Sequence, residues 1–196
     1  MNTESILASI TRHIDLSKDE ADYFVRSLVP QKVKQGDVVE KAGEKSRHFM
    51  YVNSGCLMTY YPDPQGHDHV MQFATSGWWT GDLHSFVSSE CSIYDIRALA
   101  DSEIFLLTKN ALDTLLEKQP VFERYFRILF LNALVAHQQR IIEGFSNTAE
   151  GRYESFQKRF PTLEQFVPLK YIASYLGITP EFLSKIRRKQ LVKQAS

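Results

Sequence analysis

Residues 34–83 read KQGDVVEKAGEKSRHFMYVNSGCLMTYYPDPQGHDHVMQFATSGWWTGDL. Short β-branched and aromatic runs, Val38-Val39, Phe49–Val52, Leu57–Tyr61 and Val70–Phe73, alternate with turn signals. The turns are Gln35-Gly36-Asp37, Asn53-Ser54-Gly55, Pro62–Gly66 and Thr75-Ser76-Gly77. Val, Tyr and Phe suit a pleated strand, whereas Gly, Pro, Asn and Asp suit the bends between strands. The same texture continues through Ile93–Leu99 and Ile104–Leu107. Evenly spaced short strands from Gln31 to Leu107 predict a closed sandwich or barrel.

Helical periodicity surrounds this block. Residues 3–13 carry Ile6, Leu7 and Ile10 at helical spacing, and Ser17 to Glu20 forms an S-x-x-E capping box for a second helix ending before Pro30. After Asn110–Leu116 comes PVFERYFRILFLNALVAHQQRIIEG, Pro120 to Gly144. Pro120 suits a first turn and Gly144 a stop. The helix between them, roughly 36 Å long at 1.5 Å per residue, has two apolar faces. One is Phe122, Tyr125, Phe126, Leu129, Ala133 and Ala136; the other is Ile128, Leu131, Val135 and Ile142. A helix with almost no polar side packs on its own domain and on something else. The expectation is a homodimer with the first set as its seam; the alternative is the central helix of a monomeric core.

Composition agrees with an ordinary globular chain: 43% of residues are hydrophobic and 23% charged, so a sizeable core can form without staples. Cys56 and Cys91 are isolated, too few for a disulfide framework or an all-cysteine iron–sulfur site. With no apolar run of membrane length and no basic-then-apolar leader, the expectation is a cytoplasmic protein with no membrane partner. The net charge of +0 hides a split. Residues 152–196 hold nine Lys/Arg against three Asp/Glu, and residues 1–151 hold 14 against 20. A basic end on an acidic body fits a nucleic-acid contact, or simply a solvated tail.

That basic end contains VPLKYIASYLGITPEFLSKIRRK, residues 167–189. Pro168 opens one helix and Leu176-Gly177 ends it; Thr179 caps a second, with Pro180 at its first position. Ile172, Ala173, Leu176, Ile178, Leu183 and Ile186 are spaced to form a small core. Gly177 permits a left-handed turn. The pattern predicts a helix-turn-helix. Thr179, Glu181, Ser184 and Lys185 lie on its leading surface, and Arg187, Arg188, Lys189 and Lys170 supply cations for phosphates of double-stranded DNA. A helical hairpin with a solvated face is the plainer alternative.

The order of β-roll, long helix, linker and helix-turn-helix resembles the cyclic-AMP receptor protein family, the Crp/Fnr group of bacterial transcription regulators. The resemblance rests on Gly36, Gly43, Gly55, Gly66, Gly77 and Gly81 and on IASYLGITPEFLSKIRRK, and it spans nearly the whole chain. It implies an α+β fold. An eight-stranded β-roll (a double-stranded jelly roll), resembling a cyclic-nucleotide-binding domain, occupies 1–119 with its flanking helices. A long dimerisation helix and hinge follow at 120–146, then a helix-turn-helix domain at 147–196. It also implies a homodimer on a two-fold symmetric DNA site, RNA polymerase as a partner, no catalytic residues, no metal and no resident cofactor.

Two departures qualify the resemblance. Cyclic-nucleotide binders of the family carry G-E-L and then Arg-Ser or Arg-Thr. Here Gly81-Asp82-Leu83 matches the first, and Ser92-Ile93 stands where the second belongs. Ser92 cannot make the bidentate bonds of an arginine, and Arg97 fits a later strand position. The pocket, with His137 and Gln138 facing it, is therefore expected to hold an unknown small effector or none, and not cyclic AMP. After the second helix only Gln190–Ser196 remains, too short for the family's wing hairpin. Two rivals stand beside this reading. In one, His67-Asp68-His69 with Asp82 and His84 marks a cupin-like metal enzyme, although no Glu follows at cupin spacing. In the other, the β-roll is an interaction scaffold with a vestigial DNA-binding domain.

Overall fold

The computed structural model describes residues 1–194; Ala195 and Ser196 lie outside it. Helices α1 (Glu4–Thr11) and α2 (Lys18–Arg26) come first. Eight strands follow: β1 (Val29–Val33), β2 (Val38–Glu40), β3 (His48–Ser54), β4 (Cys56–Pro62), β5 (Asp68–Thr75), β6 (Trp79–Thr80), β7 (Asp95–Ala98) and β8 (Ser102–Thr108). A short helix α3 (Leu83–Ser88) interrupts them between β6 and β7. Then come α4 (Lys109–Lys118), α5 (Val121–Ser146), α6 (Ala149–Arg159), α7 (Leu169–Leu176) and α8 (Pro180–Gln194). The capping box is present: Glu20 N donates to Ser17 Oγ at 3.3 Å, and Ser17 N to Glu20 Oε2 at 2.8 Å.

The strands make two antiparallel sheets, β1-β8-β3-β6 and β2-β7-β4-β5, the expected double-sheet roll. Met50, Val52, Leu57, Ile96, Ile104 and Leu106 fill the space between the sheets. Alternate residues point the other way, and they too are buried. Phe49, Tyr51, Phe105 and Leu107 leave the first sheet outward and meet α1, α2, α4 and the start of α5. Cys56, Met58, Tyr60 and Phe73 leave the second sheet and meet α6, α7 and α8. Both faces of each sheet are covered, so the strands are nearly continuous apolar runs rather than alternating ones. Pro30 is tolerated because β1 is an edge strand. Gly55 is needed at its turn: with φ +91°, a Cβ there would lie 2.1 Å from Ser102 Oγ.

Three boundaries differ from expectation. The helix expected to stop at Gly144 continues to Ser146, and the following helix is capped by Thr148, whose side chain accepts from Gly151 N at 3.1 Å. The hinge expected at the end of 120–146 is therefore helix, up to Ser146. Gln190–Gln194 is the end of α8. The C-terminal helices also do not stand apart from the roll: they share a core with its second sheet.

Candidate functional site

A cavity of about 530 Å³ lies where the β-roll, α5, α6 and α7 meet. Its walls are largely aromatic, with Trp78, Trp79, Phe130, Phe160 and Tyr175 among them. From α5 come Leu129, Asn132, Ala133, Ala136, His137 and Arg140, one row at spacings of three and four. Arg159 closes it from α6.

Arg140 is the most connected of these. Its Nη1 donates to Met71 O, and its Nη2 to Val70 O at 3.1 Å and Tyr175 O at 3.3 Å. Its guanidinium also lies 4.1 Å from the centre of the Tyr175 ring. Burial and the neighbouring Arg159 lower its pKa, with Tyr175 acting in the opposite direction. Burial first, then Arg140 and Arg159, hold His137 below the usual histidine value. Arg159 stacks on Trp78 at 5.1 Å.

The C-terminal unit is built as a helix-turn-helix. Gly177 takes the left-handed conformation, φ +67°, that ends α7. Thr179 Oγ1 accepts from Phe182 N at 3.2 Å, capping α8. Ile172, Ala173, Leu176, Leu183 and Ile186 are buried together. The α7 side facing the roll seals the edge of β5: Ser174 Oγ donates to Asp68 O at 2.6 Å and accepts from Val70 N at 2.9 Å. Tyr171 on the same helix receives a hydrogen bond from Arg97 at 3.4 Å. Arg97 therefore faces α7.

Residues 30–119 match the cyclic nucleotide-binding domain family. The chain is 24% identical over 185 residues to the fumarate and nitrate reduction regulatory protein of Vibrio cholerae serotype O1, covering 86% of this chain and 70% of that one. Residues 30–119 thus resemble a cyclic nucleotide-binding domain, and the chain as a whole is similar to regulators of the Crp/Fnr group. Its fold is similar to that of FixK2 from Bradyrhizobium japonicum, with TM-score 0.70, 16% identity and 86% of each chain covered. It is also similar to a transcriptional regulator of the crp/fnr family from Eubacterium rectale, with TM-score 0.67, 19% identity, and 91% of this chain and 85% of that one covered.

The phosphate-binding cassette that the resemblance places at Gly81–Leu83 is closed by internal hydrogen bonds. Gly81, Asp82 and Leu83 line the cavity. Asp82 is buried and caps α3, its Oδ1 accepting from Ser85 N at 3.1 Å, while its Oδ2 accepts from Ser92 Oγ at 2.8 Å. Ser92 sits behind Asp82, 3% exposed, and accepts from Tyr94 N at 3.0 Å. Ile93 is 56% exposed and turned away, and Gln138 is exposed outside the cavity. Nearby Glu40 has its pKa raised, first by burial and in part by Asp82. Of the expected pocket residues, the structure brings Gly81, Asp82, Leu83 and His137 to one cavity, and sets Ser92, Ile93 and Gln138 outside its lining.

The expected seam requires correction. Phe122, Tyr125 and Phe126 are buried in the protomer's own core, with Phe122 stacked on Phe24 at 5.1 Å. Leu129, Ala133 and Ala136 line the cavity. Of the second apolar set, Leu131, Val135 and Ile142 face outward instead, with Leu134 and Ile141 beside them; these five are about half exposed or more, and Phe145 is 89% exposed. Residues 122–130 must cover the first sheet, and that orientation turns the opposite row to solvent.

The expected DNA-contacting residues separate into two groups. Glu181 and Lys185 are exposed on α8 with Phe182 and Arg188 beside them. Glu181 is hydrogen-bonded to its own backbone and to Thr179, which lower its pKa, and the others have local partners as well. Ser184 Oγ donates to Pro180 O at 2.9 Å, and Lys189 pairs with Glu150 Oε1 at 2.7 Å. Arg187 lies against the Tyr153 hydroxyl, and Lys170 lies over the Tyr171 ring at 4.7 Å. His67 and His69 both lie beside Asp63 at the β4–β5 hairpin, at 3.4 and 2.8 Å. Among the described residues no group of three His, Cys, Asp or Glu is placed to hold a metal ion. Nor is any described helix long and apolar enough to cross a membrane.

Sequence reasoning missed Arg140, Arg159, Trp78 and Tyr175. Arg140 had a signal, because it continues the helical row through Ala133, Ala136 and His137. Arg159 had none, since only tertiary folding brings α6 over the cavity.

Proposed function

We propose that this chain is a homodimeric transcription regulator that reads a two-fold symmetric DNA site with α8 and receives a small effector in the cavity. The observation that carries the reading is the presentation of α8. Its inner side, Leu183 and Ile186, is buried, while Glu181, Lys185 and Arg188 share an outer face at spacings of four and three. Glu181 can accept from a cytosine amine and Lys185 can donate to guanine, while Arg188 suits a phosphate. Cyclic AMP is disfavoured as effector. Ser92 offers the cyclic phosphate no cation and already donates to Asp82. RNA polymerase as a partner rests on the family resemblance alone.

The enzyme alternative is disfavoured by the placement of His67 and His69 on an exposed hairpin. The scaffold alternative is disfavoured by the exposed cations of α8.

The test is a fluorescence titration of the full chain on a selected duplex and on random duplex at several salt concentrations. Binding should weaken steeply with salt, because neutralised phosphates release counterions. Lys185→Ala should cost roughly 1–3 kcal/mol in discrimination between sites. Arg188→Ala should weaken all sequences alike and flatten the salt slope. Variants that bind every duplex as wild type does would remove α8 as the reader.

A further inference from the structure

The cavity has an uneven charge pattern. Asp82, its acidic wall residue, is occupied by Ser85 N and Ser92 Oγ. At the α5–α6 wall stand Arg140 and Arg159, and among the described residues neither has a carboxylate within ion-pair distance. Both guanidinium groups lie over aromatic rings, Arg140 on Tyr175 and Arg159 on Trp78 and Phe160. A guanidinium stacked on a ring still presents N–H groups along its edge, a geometry that accepts a planar anion. Arg159 is close enough to disfavour charge on Arg140, and both disfavour it on His137. A site that gathers like charges without an internal counter-ion is complementary to an anion.

Size and polarity narrow the occupant. A volume of about 530 Å³ suits a small organic molecule, and the aromatic walls suit an apolar body. Arg140 has a second engagement. The three carbonyls it binds belong to β5 and α7, so it fastens the C-terminal unit to the roll beside Ser174. Carbonyls are neutral acceptors, whereas bonds from a guanidinium to an anion are roughly twice as strong as neutral ones.

We propose that Arg140 and Arg159 form a subsite for the anionic head, a carboxylate or phosphate, of an apolar ligand in the cavity. Binding there draws Arg140 off the β5 and α7 carbonyls and loosens the C-terminal unit. The inference deepens the effector reading above and rests on it. It places charge recognition on α5 and α6, across the cavity from the closed cassette.

The test uses two probes with the same body, 8-anilinonaphthalene-1-sulfonate and its uncharged counterpart N-phenyl-1-naphthylamine, titrated by fluorescence into the full chain. Wild type should bind the sulfonate about tenfold or more tightly, as expected for a charge-assisted contact. Arg140→Gln and Arg159→Gln should each remove most of that preference and leave the uncharged probe unchanged, while Arg159→Lys should keep part of it. Ala133→Trp, with its fold checked by circular dichroism, should fill the cavity and abolish both; Ala136→Phe serves if that variant does not fold. Hydrogen exchange across residues 68–73 should rise when wild type binds the sulfonate. In Arg140→Gln it should be raised already.

Equal affinity for the two probes, or glutamine variants that keep the preference, would overturn the subsite while leaving the cavity a ligand site. Unchanged exchange with the sulfonate bound would overturn the coupling to the C-terminal unit. Probes that bind normally to the filled variants would overturn the cavity as the effector site, and the subsite with it.

Discussion

At the scale of single residues, burial separates side chains that the sequence presents as equals. Cys56 and Cys91 look alike in the chain, yet Cys56 is fully buried between the second sheet and the C-terminal unit, and Cys91 is exposed. Burial pushes the Cys56 thiol up to about 12. Only the thiolate reacts, so iodoacetamide at mildly alkaline pH should modify Cys91 alone. Mass spectrometry should find both modified after denaturation; early labelling of Cys56 would show that the C-terminal unit does not cover it. His137 gives a second expectation. Burial first, and then Arg140 and Arg159, lower its pKa in the folded chain. The unfolded chain keeps a value of about 6.5, so it takes up this proton first as pH falls. This contribution to stability is full above the unfolded pKa and is lost as pH falls below it. His137→Gln should therefore flatten the loss of thermal stability between neutral and mildly acidic pH, measured by calorimetry. An unchanged slope would assign the loss to other groups, His48 among them, whose pKa burial also lowers.

At the scale of elements, α5 carries the largest revision. Its two apolar faces were legible, because a 26-residue helix with so few polar positions must be covered on more than one side. Which face meets the protomer was not legible, since both rows are apolar and periodicity carries no direction. The outward row of Leu131, Leu134, Val135, Ile141, Ile142 and Phe145 is the proposed dimer seam. Leu134→Glu together with Ile142→Glu should yield folded monomers in sedimentation at micromolar concentration, because charge is costly in an apolar interface. Leu129→Glu, which places its charge against the cavity and the core beside Phe130, should lower the melting temperature instead. A double variant that remains dimeric would remove this row from the seam. The C-terminal pair was more legible. Pro168, Gly177, Thr179 and Pro180 act through local backbone geometry, and a neighbour several strands away does not change it.

At the scale of the whole molecule, the C-terminal unit and the roll share one hydrophobic core. Met58, Tyr60 and Phe73 from the strands meet Tyr153, Phe156, Phe160 and Tyr171. The expected division at 146–147 describes the order of the chain: the short connection Asn147-Thr148 is exposed, but it does not separate two cores. Unfolding in urea should therefore follow one transition, coincident by tryptophan fluorescence, which reports Trp78 and Trp79 in the roll, and by far-ultraviolet circular dichroism, which is dominated by the helices. Phe73→Ala should cost about 3–5 kcal/mol and move both signals together. Two separated transitions would mean that the C-terminal unit folds independently and that the shared core contributes little.

By itself the sequence determined the features that act over a few residues. These are the strand texture from Gln31 to Leu107, the capping box at Ser17–Glu20, the helical pair around Gly177, and the missing arginine at Ser92. Turns, caps and a missing charge are local, so neighbours in the chain suffice to read them. The tertiary structure alone decided which face of α5 turns inward, that Asp82 and Ser92 bond each other, and that Arg140 and Arg159 come to one cavity wall. Those outcomes join residues from β5, from the segments flanking α3, and from α5, α6 and α7, and their geometry is set by which apolar surfaces bury each other most completely. That competition is settled only when all the elements have packed.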